Sequence, residues 1–482
     1  MSFYQGRESL PRRFRLVLLS LLQTGGLPFS DVLGEEQIEH AFDVLAGQQS
    51  RFAQEEDDIF TAPVTLWAFL SQVLHKEEQR SCLAAVSRVA VLLLALGRKP
   101  CAHNNGAYCK ARAKLPEKVI ERLATEMADG CEKKTPERWL WKGRHVKLAD
   151  GTTVSMPDTE ANQNVYPQQA SQKEGIGFPI ARMVVLLSLA TAMVCGMAIG
   201  PHSGKETSEL ALMRQLFDQL DAGDILLADR FFCSYFMIAL LLERNVDFVG
   251  RLHHARKEET YRVKRLGKGD WLVEWPRPSK PAWMDQATYD RMPEVLRLRQ
   301  VEVKVTEPGF RVKSLVVVTT LTDRTQYTKA DLAELYHQRW LVELDIRSIK
   351  CTLGMDILRG KTPEMVRKEI WTCLLAYNSI RKTMLQAAFD TDLSPRQLSF
   401  TSAMQTMAAS WVVLPTQNRP TIALLIETAI EGLTSQLVGN RPDRIEPRAV
   451  KRRPKQLRLL NMTREAAREL LRSGVDPYKK QT

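Results

Sequence analysis

The sequence predicts a mixed α/β core set between helical flanks, and three observations carry that prediction. Residues 143–252 run as three strands, a helix, a strand, a helix and a strand. Residues 253–326 then lose this alternation. They hold Trp271, Trp275, Trp283 and five prolines among strand-like stretches such as Val301–Val305 and Ser314–Thr320, which reads as a β-rich insertion. Helical periodicity resumes at Lys329, so residues 327–400 complete the core, while residues 1–142 and 401–482 read as helical segments on either side.

Each element has a local reason. In the N-terminal segment, Ala62–Leu96 is rich in Leu, Ala and Val at helical spacing, as at Leu66, Leu70, Val73 and Leu74. After an Asn-Asn-Gly turn come Lys110, Arg112 and Lys114, and Pro116 opens a further helix with Glu117 in its first turn. Such a basic helical module suits DNA binding and equally suits packing on the α/β core. From His145 the texture changes: Val146, Leu148 and Asp150 share one side of a strand. The uncharged run Met183–Ile199 is short for a membrane span and carries Ser188, Thr191 and Gly196, so two buried strands joined by a tight turn fit it better. Ser208–Leu220 reads as one amphipathic helix, Ile225–Ala228 as a strand buried on both faces, Ser234–Glu243 as a helix and Phe248–Leu252 as a short strand. A long helix is expected from about Pro363 to Ala388.

Composition limits the function classes. The chain has 482 residues, 44% hydrophobic and 26% charged, which excludes whole-chain disorder and rods. Two thirds of the net charge of +12 sits in residues 441–482, where 13 Lys and Arg face 5 Asp and Glu. That concentration favours a polyanionic partner. No signal-peptide pattern opens the chain, and the eight cysteines form no Cys-x-x-Cys pair, so a reduced cytoplasmic protein with no membrane partner is expected.

Chemistry concentrates in one helix and two strand ends. On an ideal helix Tyr336, Arg339, Glu343 and Lys350 stand at about 0°, 300°, 340° and 320°, beside an apolar face of Leu335, Val342, Ile346, Ile349 and Leu353. By itself this stripe reads as a surface ion-pair row, since Arg339 and Glu343 are four apart. Two acids alter that reading. Asp150 ends the inward row of its strand, and Asp229 follows the buried run Ile225–Ala228. A carboxylate there is costly unless paired or on a cation. Three carboxylates from two strands and a helix suit hard cations, and two Mg²⁺ or Mn²⁺ ions so held support displacement at phosphorus.

Asp150-Gly151-Thr152, Asp229-Arg230-Phe231-Phe232 and Tyr336-x2-Arg339-x3-Glu343-x6-Lys350 together resemble the DDE transposases of the insertion-sequence-four family. The tail segment Arg444–Arg448 with Lys451, Arg452 and Arg453 is also similar to the family's C-terminal part. The resemblance implies an RNase H-like core with the β insertion between Asp229 and Glu343. It implies Asp150, Asp229 and Glu343 as catalytic metal ligands and Tyr336, Arg339 and Lys350 as groups gripping DNA phosphates. It also implies cleavage at element ends, strand transfer into target DNA, a hairpin intermediate, and a homodimer holding two double-stranded ends near the nucleoid. Phe231 departs from the glycine that many relatives carry after the second aspartate.

Other residues fit a functional role less well. A fourth metal ligand among His202, Ser203, Glu206 and Glu209 competes with helix capping by Ser208 or Ser203, and capping is preferred. A zinc site from Cys101, His103, Cys109 and Cys131 has no standard spacing. Asp345 lies about 200° from Glu343 and cannot share its site. Trp275 and Trp283 are the better candidates for stacking on an extruded base. The competing function is a transposase-derived, sequence-specific DNA-binding repressor without catalysis. A nuclease without strand transfer is a third reading.

Overall fold

The computed structural model describes residues 14–23, 27–46, 59–204, 206–256, 261–304, 314–438 and 460–477. Much of the basic C-terminal segment, including Arg444–Arg448 and Lys451–Lys455, lies outside them. One nine-stranded mixed sheet organises the chain. Its strands are β1 (Val146–Ser155), β2 (Ile180–Ser188), β3 (Val194–Pro201), β4 (Ile225–Ala228), β5 (Asp247–Arg251), β6 (Arg262–Gly267), β7 (Asp270–Pro276), β8 (Val295–Lys304) and β9 (Ser314–Thr319). They lie in the order β3-β2-β1-β4-β5-β9-β8-β7-β6. β1, β4 and β5 are mutually parallel and every other pairing is antiparallel.

The apolar runs explain the centre of this sheet. Every residue of β4 is buried, as a strand with neighbours on both sides and layers on both faces requires. The Met183–Ile199 run folds as β2 and β3 around a tight turn, with Ala192 at φ 59°. Among the described residues no helix is long and apolar enough to cross a membrane. The helix Pro363–Phe389 packs against the helices Glu117–Lys133 and Ala62–Val73, so the N-terminal helices join the core. Of the early basic row, Arg112 turns inward: it donates to Gln72 Oε1 at 3.1 Å and lies over the Phe69 ring.

The β-rich segment forms β6–β9 and joins the same sheet, because β9 pairs with β5 and carries β8, β7 and β6 beside it. Three expectations change. The expected helix Ser208–Leu220 is a helix Glu209–Arg214 followed by a 3₁₀ turn Phe217–Gln219. Gln215 and Leu216 there donate to carbonyls three residues back, and the tightening buries Leu216, Phe217 and Leu220. The helix from Lys329 stops at Gln338 and restarts at Leu341–Arg347. Arg339 and Trp340 bond three residues back, at 3.1 and 3.3 Å, while Leu353 bonds five back to Ser348 in a π turn over Ser348–Thr352. The ideal phase of 3.6 residues per turn therefore fails on both sides of Glu343. Finally, Trp275 is fully buried beneath the Arg256 guanidinium, 4.0 Å from its ring centre, so it is core and cannot meet a base. Trp283 remains 37% exposed, with Arg214 3.8 Å over its ring.

Candidate active site

The parallel register of β1 and β4 ends with Ala149 opposite Ala228. The next residue of each strand is an aspartate. Asp150 and Asp229 therefore leave the sheet side by side, one strand spacing of about 4.8 Å apart. Asp150 does not end its strand, as the sequence suggested. β1 continues to Ser155 against β2, with Asp150 opposite Val185. What ends at Asp150 is the pairing with β4, and that opens room beside it.

Local hydrogen bonds aim both acids. The Gly151 N–H donates to Asp150 Oδ1 at 2.8 Å, and the Phe231 N–H donates to Asp229 Oδ1 at 2.8 Å, closing an Asx turn. Phe231 is absent from the left-handed backbone region, so this turn needs no glycine. Its ring is 52% exposed and meets His253 edge-on.

Glu343 comes from the short helix Leu341–Arg347, which packs on β1. Its carboxylate accepts from Arg339 Nη2 at 2.9 Å. The three acids feel one another. Burial pushes the Asp150 carboxyl up to about 6; the Gly151 N–H and Arg339 oppose that, and the charges of Asp229 and Glu343 add to it. Burial by itself would lower Arg339. Its hydrogen bond to Glu343 and the nearby Tyr336, Glu343 and Asp150 hold it above the ordinary value instead. Tyr336 is pushed up to about 12, mainly by burial, with Arg339 and Arg251 pulling down and Asp229 pushing up. Tyr336, Arg339, Glu343, Asp150 and Asp229 thus share one neighbourhood. Lys350 is turned elsewhere by the π turn: its ammonium donates to Thr152 Oγ1 at 3.1 Å and Thr153 O at 2.8 Å, both on β1.

The donor chemistry fits a hard divalent cation: carboxylate oxygens, one of them poorly compensated, with no sulfur ligand among them. Among the described residues no three His, Cys, Asp or Glu side chains are packed into a ready cage. The Cys101, His103, Cys109 and Cys131 set forms none either.

Two further acids lie beside the site. Asp345 faces away from Glu343, as its helical phase requires, and is 1% exposed. It accepts from Arg381 Nη2 at 2.8 Å and Arg396 Nη2 at 2.9 Å, tying the Glu343 helix to the long helix Pro363–Phe389 and, through Arg396, to the end of β2. Glu209 starts the helix Glu209–Arg214, capped by Ser208, and its carboxyl group lies against Gly151. In the sequence Glu209 stands among the candidates for a fourth metal ligand, set below helix capping by Ser208.

Residues 141–379 match the family model described as the transposase DDE domain. Over 403 residues the chain is 28% identical to the transposase InsG of insertion sequence element IS4 from Escherichia coli K12, covering 81% of this chain and 85% of that protein. Both matches support a DDE transposase of the insertion-sequence-four family. A shorter similarity, 34% over 61 residues, links the transposase to that of insertion sequence element IS421 from Escherichia coli, spanning 13% of this chain and 16% of the other. Among solved structures, a cryo-EM structure of a piggyBac transposase synaptic complex with hairpin DNA aligns with 88% of this chain and 86% of its own at a TM-score of 0.43 and 11% identity. The matched residues 141–379 include Asp150, Asp229, Tyr336, Arg339, Glu343 and Lys350.

Proposed function

We propose that this transposase cuts an insertion sequence out of DNA at its ends and joins it to target DNA, using an RNase H-like core and divalent metal. The observation that carries this reading is the pair Asp150 and Asp229 at the end of the β1–β4 ladder, with Glu343 brought beside them from the helix Leu341–Arg347 and Arg339 from the break before it. Asp150, Asp229 and Glu343 are the residues that would hold two Mg²⁺ or Mn²⁺ ions. Bound there, such ions supply activation of the attacking oxygen and charge stabilisation at the leaving one. In cleavage, water attacks phosphorus and the 3′ oxygen departs as a hydroxyl. In joining, that hydroxyl attacks a target phosphorus and displaces the 3′ oxygen of the target strand. Attack on the opposite strand of the same end would instead make a hairpin.

The cations of this chain have separate tasks in that scheme. Arg339 can turn the donor it gives Glu343 toward a phosphate, and its planar fork would then hold two phosphate oxygens. Tyr336, beside Arg339, offers a phenol to the same phosphate. Lys350 has three donors and spends two on β1, so its remaining donor faces the DNA while the other two hold the strand that bears Asp150. The helical residues 1–142 and the basic residues 401–482 would take the terminal repeats. Two ends need two active sites, so a homodimer is the working unit.

The test uses the full chain, a labelled duplex carrying the element's terminal inverted repeat, a target plasmid and Mg²⁺. Nicking followed by joined product is expected. Binding without nicking would favour the repressor reading, and nicking without joining the nuclease.

A further inference from the structure

We propose that Glu209 is a fourth acid of the cation site, acting with Asp150, Asp229 and Glu343; the inference rests on the metal reading of those three. Its placement is built into the fold. The Ser208 hydroxyl accepts from the Ala211 N–H at 3.2 Å and so fixes where the helix Glu209–Arg214 begins. That start sets the Glu209 carboxyl group over the backbone of β1 at Gly151, directly after Asp150. A β-carbon at residue 151 would sit 2.4 Å from both the carboxyl carbon and Oε1 of Glu209. Gly151 lies in a strand and outside the left-handed region, so its backbone could carry any residue. What requires glycine there is the space that Glu209 fills.

The carboxylate is also left without a partner of its own. Among the described residues it makes no hydrogen bond or ion pair, whereas Glu206, one turn earlier and more exposed, is bound by Arg214 at 2.6 Å. Around Glu209 lie Arg182 from β2 and Asp229 from the end of β4. Burial pushes its carboxyl up, Arg182 pulls down and Asp229 pushes up again. Arg182 is partly engaged, donating to Thr207 O at 3.1 Å. A half-buried carboxylate without a partner, beside a like charge, raises the energy of the empty site, and a divalent cation shared with Asp229 offsets it.

The experiment measures Mn²⁺ binding to the full chain without DNA, from the electron paramagnetic resonance signal of free Mn²⁺. Glu209→Gln should weaken binding by about tenfold or more, as Glu343→Gln should, while melting in EDTA does not fall. Glu206→Gln, the charge control, should bind normally. Normal binding by Glu209→Gln alongside a loss in Glu343→Gln overturns this inference and leaves the metal reading standing. Normal binding by both variants overturns the metal reading itself. An equal loss in Glu206→Gln would make net charge the cause and also end the proposal. Should Glu209→Gln fold poorly, Gly151→Ala pushes the carboxylate aside with every acid retained; it too should weaken Mn²⁺ binding, and unchanged affinity counts against Glu209.

Discussion

Strand β1 carries two charges three residues apart, the buried Lys147 and the half-buried Asp150, and they are treated in opposite ways. Lys147 is 5% exposed and its ammonium meets Glu132 at 2.7 Å. Glu132 also interacts with His145 Nδ1 at 3.2 Å and accepts from Thr191 Oγ1 at 2.9 Å. Burial would raise Glu132, yet the Lys147 charge and the hydrogen bonds from His145 and Lys147 hold its carboxyl at about 2. Asp150 accepts one backbone N–H, faces Asp229 and Glu343, and stands at about 6. One end of the strand is electrostatically closed. The other is open, short of positive charge by an amount that Arg339 only partly supplies. A buried charge whose partners are complete belongs to the architecture, and one whose partners are missing marks where something else must bind.

That contrast can be broken from either end. The largest expected effect is at the open end: Glu343→Gln should reduce end cleavage on the order of a thousandfold, about 4 kcal/mol in barrier, with gel-shift binding to the terminal repeat retained. Cleavage at the parental rate would remove Glu343 from the site. At the closed end, Glu132→Gln leaves Lys147 buried without its counter-charge. It should destabilise the fold by about 3–5 kcal/mol in urea titrations, without changing Mn²⁺ affinity in the surviving folded protein. A loss below about 1 kcal/mol, the range of an exposed pair, would mean the pair is not closed as described.

The smallest effect sharpens the comparison through pH. A raised carboxyl such as Asp150 costs nothing below its unfolded value near 3.8, and its full cost is present above about 6. Asp150→Asn should therefore raise the melting point in EDTA at pH 7, by the equivalent of roughly 1–2 kcal/mol, and leave it unchanged at pH 4. Glu132 has the opposite sign: its depressed carboxyl contributes stability above about 4.5 that is lost as pH falls toward 2. A gain at pH 4 equal to that at pH 7 would sever the Asp150 effect from its ionisation.

Much of this is legible in the residues. β4 reads directly from Ile225–Ala228, an apolar run that a strand buried on both faces explains and that Asp229 follows, while Asp150 reads from its alternation with Val146 and Leu148. Opposite phases around one helix separate Glu343 from Asp345, and the buried ion network of Asp345 agrees. Periodicity fails where hydrogen bonding departs from the regular ladder. Tightening at Arg339–Trp340 and the π turn at Ser348–Thr352 carry Lys350 onto β1, which no ideal helical wheel anticipates. Trp275 misleads because a tryptophan near proline and base has the same sequence signature whether it lines a groove or fills a core. The approach of Glu209 to Gly151 spans 58 positions and leaves no local pattern at all.

The join between β5 and β9 has a mechanical consequence. Only Val249, Gly250 and Arg251 pair with Thr319, Val318 and Val317 there, a shorter ladder than at any other junction of the sheet. Gly250 has no room for a side chain, since a β-carbon would fall 2.4 Å from the Phe248 ring. The half of the sheet bearing β6–β8 is held to the Asp229 half by more than this ladder. Tyr235, on the helix that follows β4, donates to Pro293 O, and Arg291 Nε meets Glu243 at 3.1 Å across the same gap. The two halves are thus coupled through side chains as well as through the backbone.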